Sequence, residues 1–186
     1  MHESLQNPQM KIHFELLKKW RHAMDLVGPS HIEEHFIDAF YTCCDLDATG
    51  NWVDLGSGAG FPGIALAIYN PNAQVTLVES RQKRAIFLRR VLAETQIKNA
   101  TVFHGRTEDL PSSSYDGVVS RAYKNPPAYL IDAKRLLSKN GIAILLLGGD
   151  STFEVPEDFD ILSEKKYSVL EKNRRTILLK NKFKQC

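Results

Sequence analysis

Asp54, Gly56, Gly58 and Gly60 stand at every second position in the stretch 51–63, an acid followed by three glycines. Glycine accepts the left-handed conformations of a sharp turn and lets the main chain come close to a ligand that a Cβ would push away. Val53 and Leu55 read as the end of a buried strand, and Pro62 suits the first turn of a following helix. Strand, glycine-rich turn and helix in that order make a nucleotide-cofactor loop. Two chemistries compete for it. Gly58-Ala59-Gly60-Phe61-Pro62-Gly63 satisfies G-x-G-x-x-G, and Glu79 follows about twenty residues on, where a dinucleotide fold keeps the acid that holds ribose hydroxyls. That reading gives a nicotinamide cofactor. The overlapping pattern, acid-x-Gly-x-Gly-x-Gly, puts the carboxylate of Asp54 at the strand end, which suits an ammonium group better than a pyrophosphate.

These groups meet only if the surrounding elements bring them to one edge of a sheet. From residue 51 onward the hydrophobic pattern alternates between strand and helix, with strands predicted at 52–55, 75–79, 101–104, 117–120 and 142–147. Helices are predicted at 64–69, 81–95 and 128–137, with turns at Asn70-Pro71-Asn72 and Asn140-Gly141. Such alternation implies a doubly wound, mostly parallel α/β sheet. The runs 161–170 and 176–179 read as an antiparallel hairpin on its edge. Ahead of the sheet, Phe14, Leu17, Trp20 and Met24 mark an amphipathic helix over 10–24, and Gly28-Pro29-Ser30 breaks it. Ser30 with Glu33 forms a capping-box pattern for a second helix through Phe36 and Phe40. In such a sheet Glu79, Gly105-Arg106-Thr107-Glu108 and Ser120-Arg121-Ala122 all project from the carboxyl edge, where α/β folds gather ligands.

With 186 residues the chain suits one domain: a helical segment over 1–48 packed on a core over 49–186. Its 43% hydrophobic and 25% charged residues are those of an ordinary globular protein. The longest apolar run, 142–147, is too short to span a bilayer, and no basic n-region leads into an apolar stretch at the N-terminus. A cytoplasmic protein with no membrane association is expected. Cys43, Cys44 and Cys186 match neither a disulfide framework nor a zinc site, so they are expected as reduced thiols with no metal. Net charge is only +2, but Lys165, Lys166, Lys172, Arg174, Arg175, Lys180, Lys182 and Lys184 crowd the last stretch, facing Glu164 and Glu171. That patch serves either as a solvated surface or as an RNA-facing one, as do Lys18, Lys19 and Arg21 and the group Arg81, Lys83, Arg84, Arg89 and Arg90.

The acid-x-Gly-x-Gly-x-Gly loop resembles that of class I methyltransferases, and further segments narrow the likeness. Residues 14–27 (FELLKKWRHAMDLV), 34–39 (EHFIDA), 54–64 (DLGSGAGFPGI), 104–108 (HGRTE) and 118–122 (VVSRA) fall in the order and spacing of the RsmG/GidB family, which they resemble over about 14–148. The resemblance implies a Rossmann-like class I methyltransferase fold that transfers a methyl group from S-adenosylmethionine to N7 of a guanine in small-subunit (16S) ribosomal RNA. Carried over residue by residue, it places Gly56, Phe61, Thr107, Glu108 and Arg121 at cofactor contacts. The general class I pattern adds Asp54 and Glu79, with Ser57, Gly58 and Gly60 of the loop. Ser120 and Arg121 are implied near the reacting centre, and His35 and Asp38 either close the site or form a packed polar pair. The implied partner is small-subunit ribosomal RNA or a ribosomal particle, met by a monomer. Where the family usually has Asn, a basic residue and Lys, this chain has Asp25, Glu34 and Leu147, and its segment after Gly149 is shorter. All three changes remove a positive charge or introduce a negative one on the expected RNA side, which keeps open a methyltransferase for a small molecule or protein; a nicotinamide-dependent oxidoreductase and a non-catalytic RNA-binding protein are further alternatives.

Overall fold

Apolar runs from residue 50 onward pair into a single sheet in the computed structural model, which describes residues 2–24, 26, 31–149 and 151–182. Asp25, the Gly28-Pro29-Ser30 break, the Ser30 half of the capping box, Lys184 and Cys186 lie outside the described residues. The strands are β1 (Gly50–Leu55), β2 (Ala73–Glu79), β3 (Ala100–His104), β4 (Tyr115–Ser120), β5 (Leu137–Gly148), β6 (Phe159–Val169) and β7 (Lys172–Asn181). They lie in the order β3-β2-β1-β4-β5-β7-β6. The first five are mutually parallel, while β7 runs antiparallel to both β5 and β6. Strand order reverses between β1 and β4, which opens a crevice at their carboxyl ends.

Alternation along β1 serves both faces of the sheet. Trp52 points into a core shared with α1 (Pro8–Trp20), α2 (Ile32–Cys43), α3 (Gly63–Tyr69) and α4 (Gln82–Thr95), through Met10, Leu17, Phe36, Leu66, Phe87 and Leu88. Val53 and Leu55 point the other way, against Tyr129, Leu130 and Leu136 of α5 (Pro126–Leu136). Helices on both faces explain why β1 is buried from Trp52 to its end and reads as an uninterrupted apolar run apart from Asp54.

Three expectations need correction. The first helix stops at Trp20, and its apolar spacing continues only as turns, with Met24 N–H donating to Trp20 O at 3.1 Å. The second helix has His31 as its N-cap with no side-chain cap bond, and starts instead with Glu33 and Glu34 in a first turn whose dipole favours acids. Asn140-Gly141 separates no elements: Asn140 takes φ 66° inside β5, where the register with β4 slips between Tyr115 and Gly117. The closing hairpin forms as expected, but its second strand inserts next to β5 and leaves β6 at the edge.

Candidate active site

Asp54, next to last in β1, is wholly buried beneath the glycine turn. Its Oδ2 accepts the Gly63 N–H at 3.1 Å, while Oδ1 is buried with no hydrogen-bond partner. Burial pushes its carboxyl up to about 7, against the opposing effects of Ser57, the Gly63 amide and Arg121. The turn needs its glycines for backbone reasons: Gly56, Gly58 and Gly60 have φ of 65°, 57° and 97°. Glu79 closes the turn from the neighbouring strand. Its Oε2 accepts from Gly58 N at 3.0 Å and its Oε1 from Arg81 N at 2.7 Å, which also fixes the start of α4.

The far side of the turn rests on the N-terminal helices. His13, buried in α1, donates Nε2–H to Ala59 O at 2.8 Å and stacks on Phe61 at 5.0 Å between ring centroids. Burial lowers its pKa to about 4, so the ring is neutral at physiological pH. Phe61 is also met edge-on by Phe36 at 4.8 Å and has the Arg121 guanidinium over its face at 4.9 Å. Its ring is thus enclosed, and its main chain is what it offers to a ligand.

At the end of β4, Ser120 Oγ donates to Leu55 O at 2.9 Å and ties the two strand ends together. Arg121 then crosses toward α2. It donates to His35 Nδ1 at 2.9 Å and lies 3.6 Å from Asp38 Oδ2. Burial, with Arg121 next in importance, depresses His35 to about 4, so its neutral ring accepts this bond and carries its proton on Nε2. Asp38 also accepts the Tyr167 hydroxyl at 2.7 Å, which links α2 to β6. Opposite, Thr107 is buried and accepts the Tyr123 hydroxyl at 2.8 Å, whereas Glu108 is exposed, 3.8 Å from Lys124. The Tyr123 ring covers Gly56, where a Cβ would stand only 2.8 Å from it.

Beyond Arg121 opens a cleft of about 450 Å³, lined by Glu34, His35, Asp38, Arg121, Leu147, Lys172 and Arg174 among others. No residue of the glycine turn lines it; Arg121 lines the cleft and also lies over the Phe61 ring of the turn. Glu34 is neutralised there by Lys172, whose Nζ donates to both carboxylate oxygens at 2.9 and 3.0 Å and holds the acid below its usual range.

The profile of one protein family, GidB, described as rRNA small subunit methyltransferase G, matches residues 6–180. The chain belongs to the GidB family. Curated relatives include proteins named ribosomal RNA small subunit methyltransferase G from Paracoccus denitrificans, 33% identical over 84% of each chain, and from Pseudomonas putida, 31% identical over 95% of this chain and 87% of that one. The structure is similar to that of M. jannaschii TYW2 in complex with AdoMet, with a TM-score of 0.63 at 14% identity over 84% of this chain and 78% of that one. The fold is that of the class I methyltransferases.

Within this GidB-family fold, the expected residues divide into two connected groups. Asp54, Gly56, Ser57, Gly58, Gly60 and Glu79 build the turn, and His35, Asp38 and Arg121 form one cluster beside the cleft. Thr107 and Glu108 stand across from the turn, joined to it through Tyr123. Sequence reasoning missed His13 and Tyr123, and took Lys172 only as one of the basic tail residues. The first two touch the turn from helix or loop positions far away in the chain, and the third has meaning only through Glu34.

Proposed function

We propose that this protein transfers the methyl group of S-adenosylmethionine to N7 of a guanine in small-subunit ribosomal RNA, acting in the cytoplasm as a one-domain monomer on RNA or on a ribosomal particle. What carries this reading is one residue shared by two sites: Arg121 lies over the Phe61 ring of the glycine turn at 4.9 Å and also lines the 450 Å³ cleft. Donor and acceptor would meet beside it, with N7 in line with the sulfonium–methyl bond.

The turn suits the cofactor. Its positive-φ glycines expose main chain, and the unpartnered Oδ1 of Asp54 gives the site a buried acceptor for the aminoacyl end, directly or through water. Glu79, Thr107 and Glu108 would serve the ribose and adenine, and Phe61 would contribute through its backbone. When bound, the cofactor supplies an electrophilic methyl group on a sulfonium.

Guanine N7 presents a lone pair without a proton, so the chain needs no general base. Its work is alignment and charge management. Arg121 is held by His35, Asp38 and the Phe61 face, so its donors are fixed before the base arrives. Positive charge accumulates on the base as the methyl group moves. Neutral His35 adds none, while Asp38 and Glu34 offset the cations around the cleft. Ser120 acts by positioning, since its hydroxyl joins the ends of β4 and β1.

Comparison of N7-methylguanine in ribosomal RNA from cells with and without the protein tests this. One modified guanine is expected to vanish from the small-subunit RNA. An unchanged map, with labelled methyl groups passing instead into protein or small molecules, would overturn the RNA assignment.

A further inference from the structure

The basic residues of the closing hairpin are mostly spent on ion pairs. Lys165 is paired with Asp45, Lys172 with Glu34, Arg175 with Glu164 and Lys182 with Asp160. Arg174, Lys166 and Lys180 differ: none has a hydrogen bond or ion pair to a side chain among the described residues. Arg174 also lines two cavities. One is the 450 Å³ cleft with Arg121; the other, of about 350 Å³, is lined by Gly149, Lys166, Tyr167, Ser168, Asn173 and Arg174.

The second cavity has the chemistry of a nucleotide site. Ser168 Oγ donates to Asn173 Oδ1 at 3.1 Å, which leaves the Asn173 amide N–H groups to donate to a base edge. Lys166 and Arg174 supply two cations. Tyr167 also lines the cavity, with its ring already stacked on Tyr41 and its hydroxyl donating to Asp38. Unpaired arginine on the ridge between two base-sized clefts matches a polyanion with a base on either side of each phosphate.

We propose that this second cavity binds the nucleotide adjoining the target guanine, with Arg174 holding the phosphodiester between them. The proposal rests on the RNA reading above. A small-molecule acceptor would fill the first cleft and leave the second without a role.

The test uses the full-length protein and small-subunit particles purified from cells that lack it. Arg174→Ala is expected to raise the KM for particles at least ten-fold and to flatten the log–log dependence of particle binding on salt by about one unit, the share of one phosphate contact. Its affinity for S-adenosylhomocysteine should stay within two-fold, and Arg174→Lys should recover part of the loss and the salt slope. Ser168→Trp, which fills the second cavity from an exposed strand position, should raise KM about five-fold while leaving the salt slope unchanged. Wild-type methylation of particles with an unaltered KM and salt slope in Arg174→Ala would overturn the phosphate contact alone. An unaltered KM in Ser168→Trp would overturn the second cavity. If the wild-type protein methylates no RNA, the functional reading and this proposal fall together.

Discussion

Asp54 shows how a single side chain couples this site to pH. Its carboxyl is wholly buried, half its hydrogen-bonding capacity is unused, and burial raises it to about 7. An incoming ammonium group stabilises the ionised form, so cofactor binding should expel a proton from the fraction of molecules still protonated. Calorimetry of S-adenosylhomocysteine binding at pH 6.5, in buffers of different ionisation enthalpy, should therefore show proton release. Affinity should weaken as pH falls below about 7, and Asp54→Asn should abolish the proton release and weaken binding roughly 10- to 100-fold, the range of a charge-assisted hydrogen bond. Equal proton release in the variant would reassign the titration to another group. The positions of Asp54, Glu79 and Arg121 were legible in the sequence because each stands at the carboxyl end of a strand that its apolar run predicts. His13 was not. A lone histidine on an amphipathic helix carries no sign that it will be buried against a carbonyl 46 residues away.

At the scale of elements, the strand-and-helix alternation was readable because β1 to β5 are short apolar runs separated by turns, and local pattern decides their type. What the pattern could not show was pairing. Nothing local in residues 172–181 says that this strand enters between β5 and β6, because that choice is made by contacts with Ile144 and Leu145 far upstream. The β1–β4 seam has a further constraint that a sequence pattern hides. Gly117 has no positive φ, yet a Cβ there would collide with the Trp52 indole, which is itself buried against the opposite core. Gly117→Ala should cost about 1–3 kcal/mol by forcing that ring aside. Urea unfolding of the purified variant measures it, and a loss under 0.5 kcal/mol would mean that the seam can relax.

Over the whole molecule, two buried groups titrate in opposite directions. His13 is depressed to about 4, so the unfolded chain takes up a proton that the folded one refuses as pH falls from about 6.5 to 4, and stability is lost over that window. Asp54 is raised to about 7, so the folded chain holds a proton that the unfolded one has released, and stability falls instead as pH rises from about 4 to 7. Each pH unit within such a window is worth about 1.4 kcal/mol. Relative to wild type, His13→Gln should therefore gain roughly 3 kcal/mol between pH 6.5 and 4, while Asp54→Asn should gain as pH rises. Denaturant midpoints of both variants across this range check the signs, and parallel curves for wild type and variants would show that neither group titrates as its burial demands.

The cleft beside Arg121 takes one wall from α2 and another from the start of β7, with Glu34 and Lys172 joined across 138 positions of the chain. This has a consequence for the order of synthesis. The residues that build the glycine turn and touch it lie at or before Tyr123, but one wall of the cleft does not exist until β7 has been made and threaded beside β5. A chain that has not yet made β7 therefore lacks a wall of that cleft, whatever the state of its glycine turn.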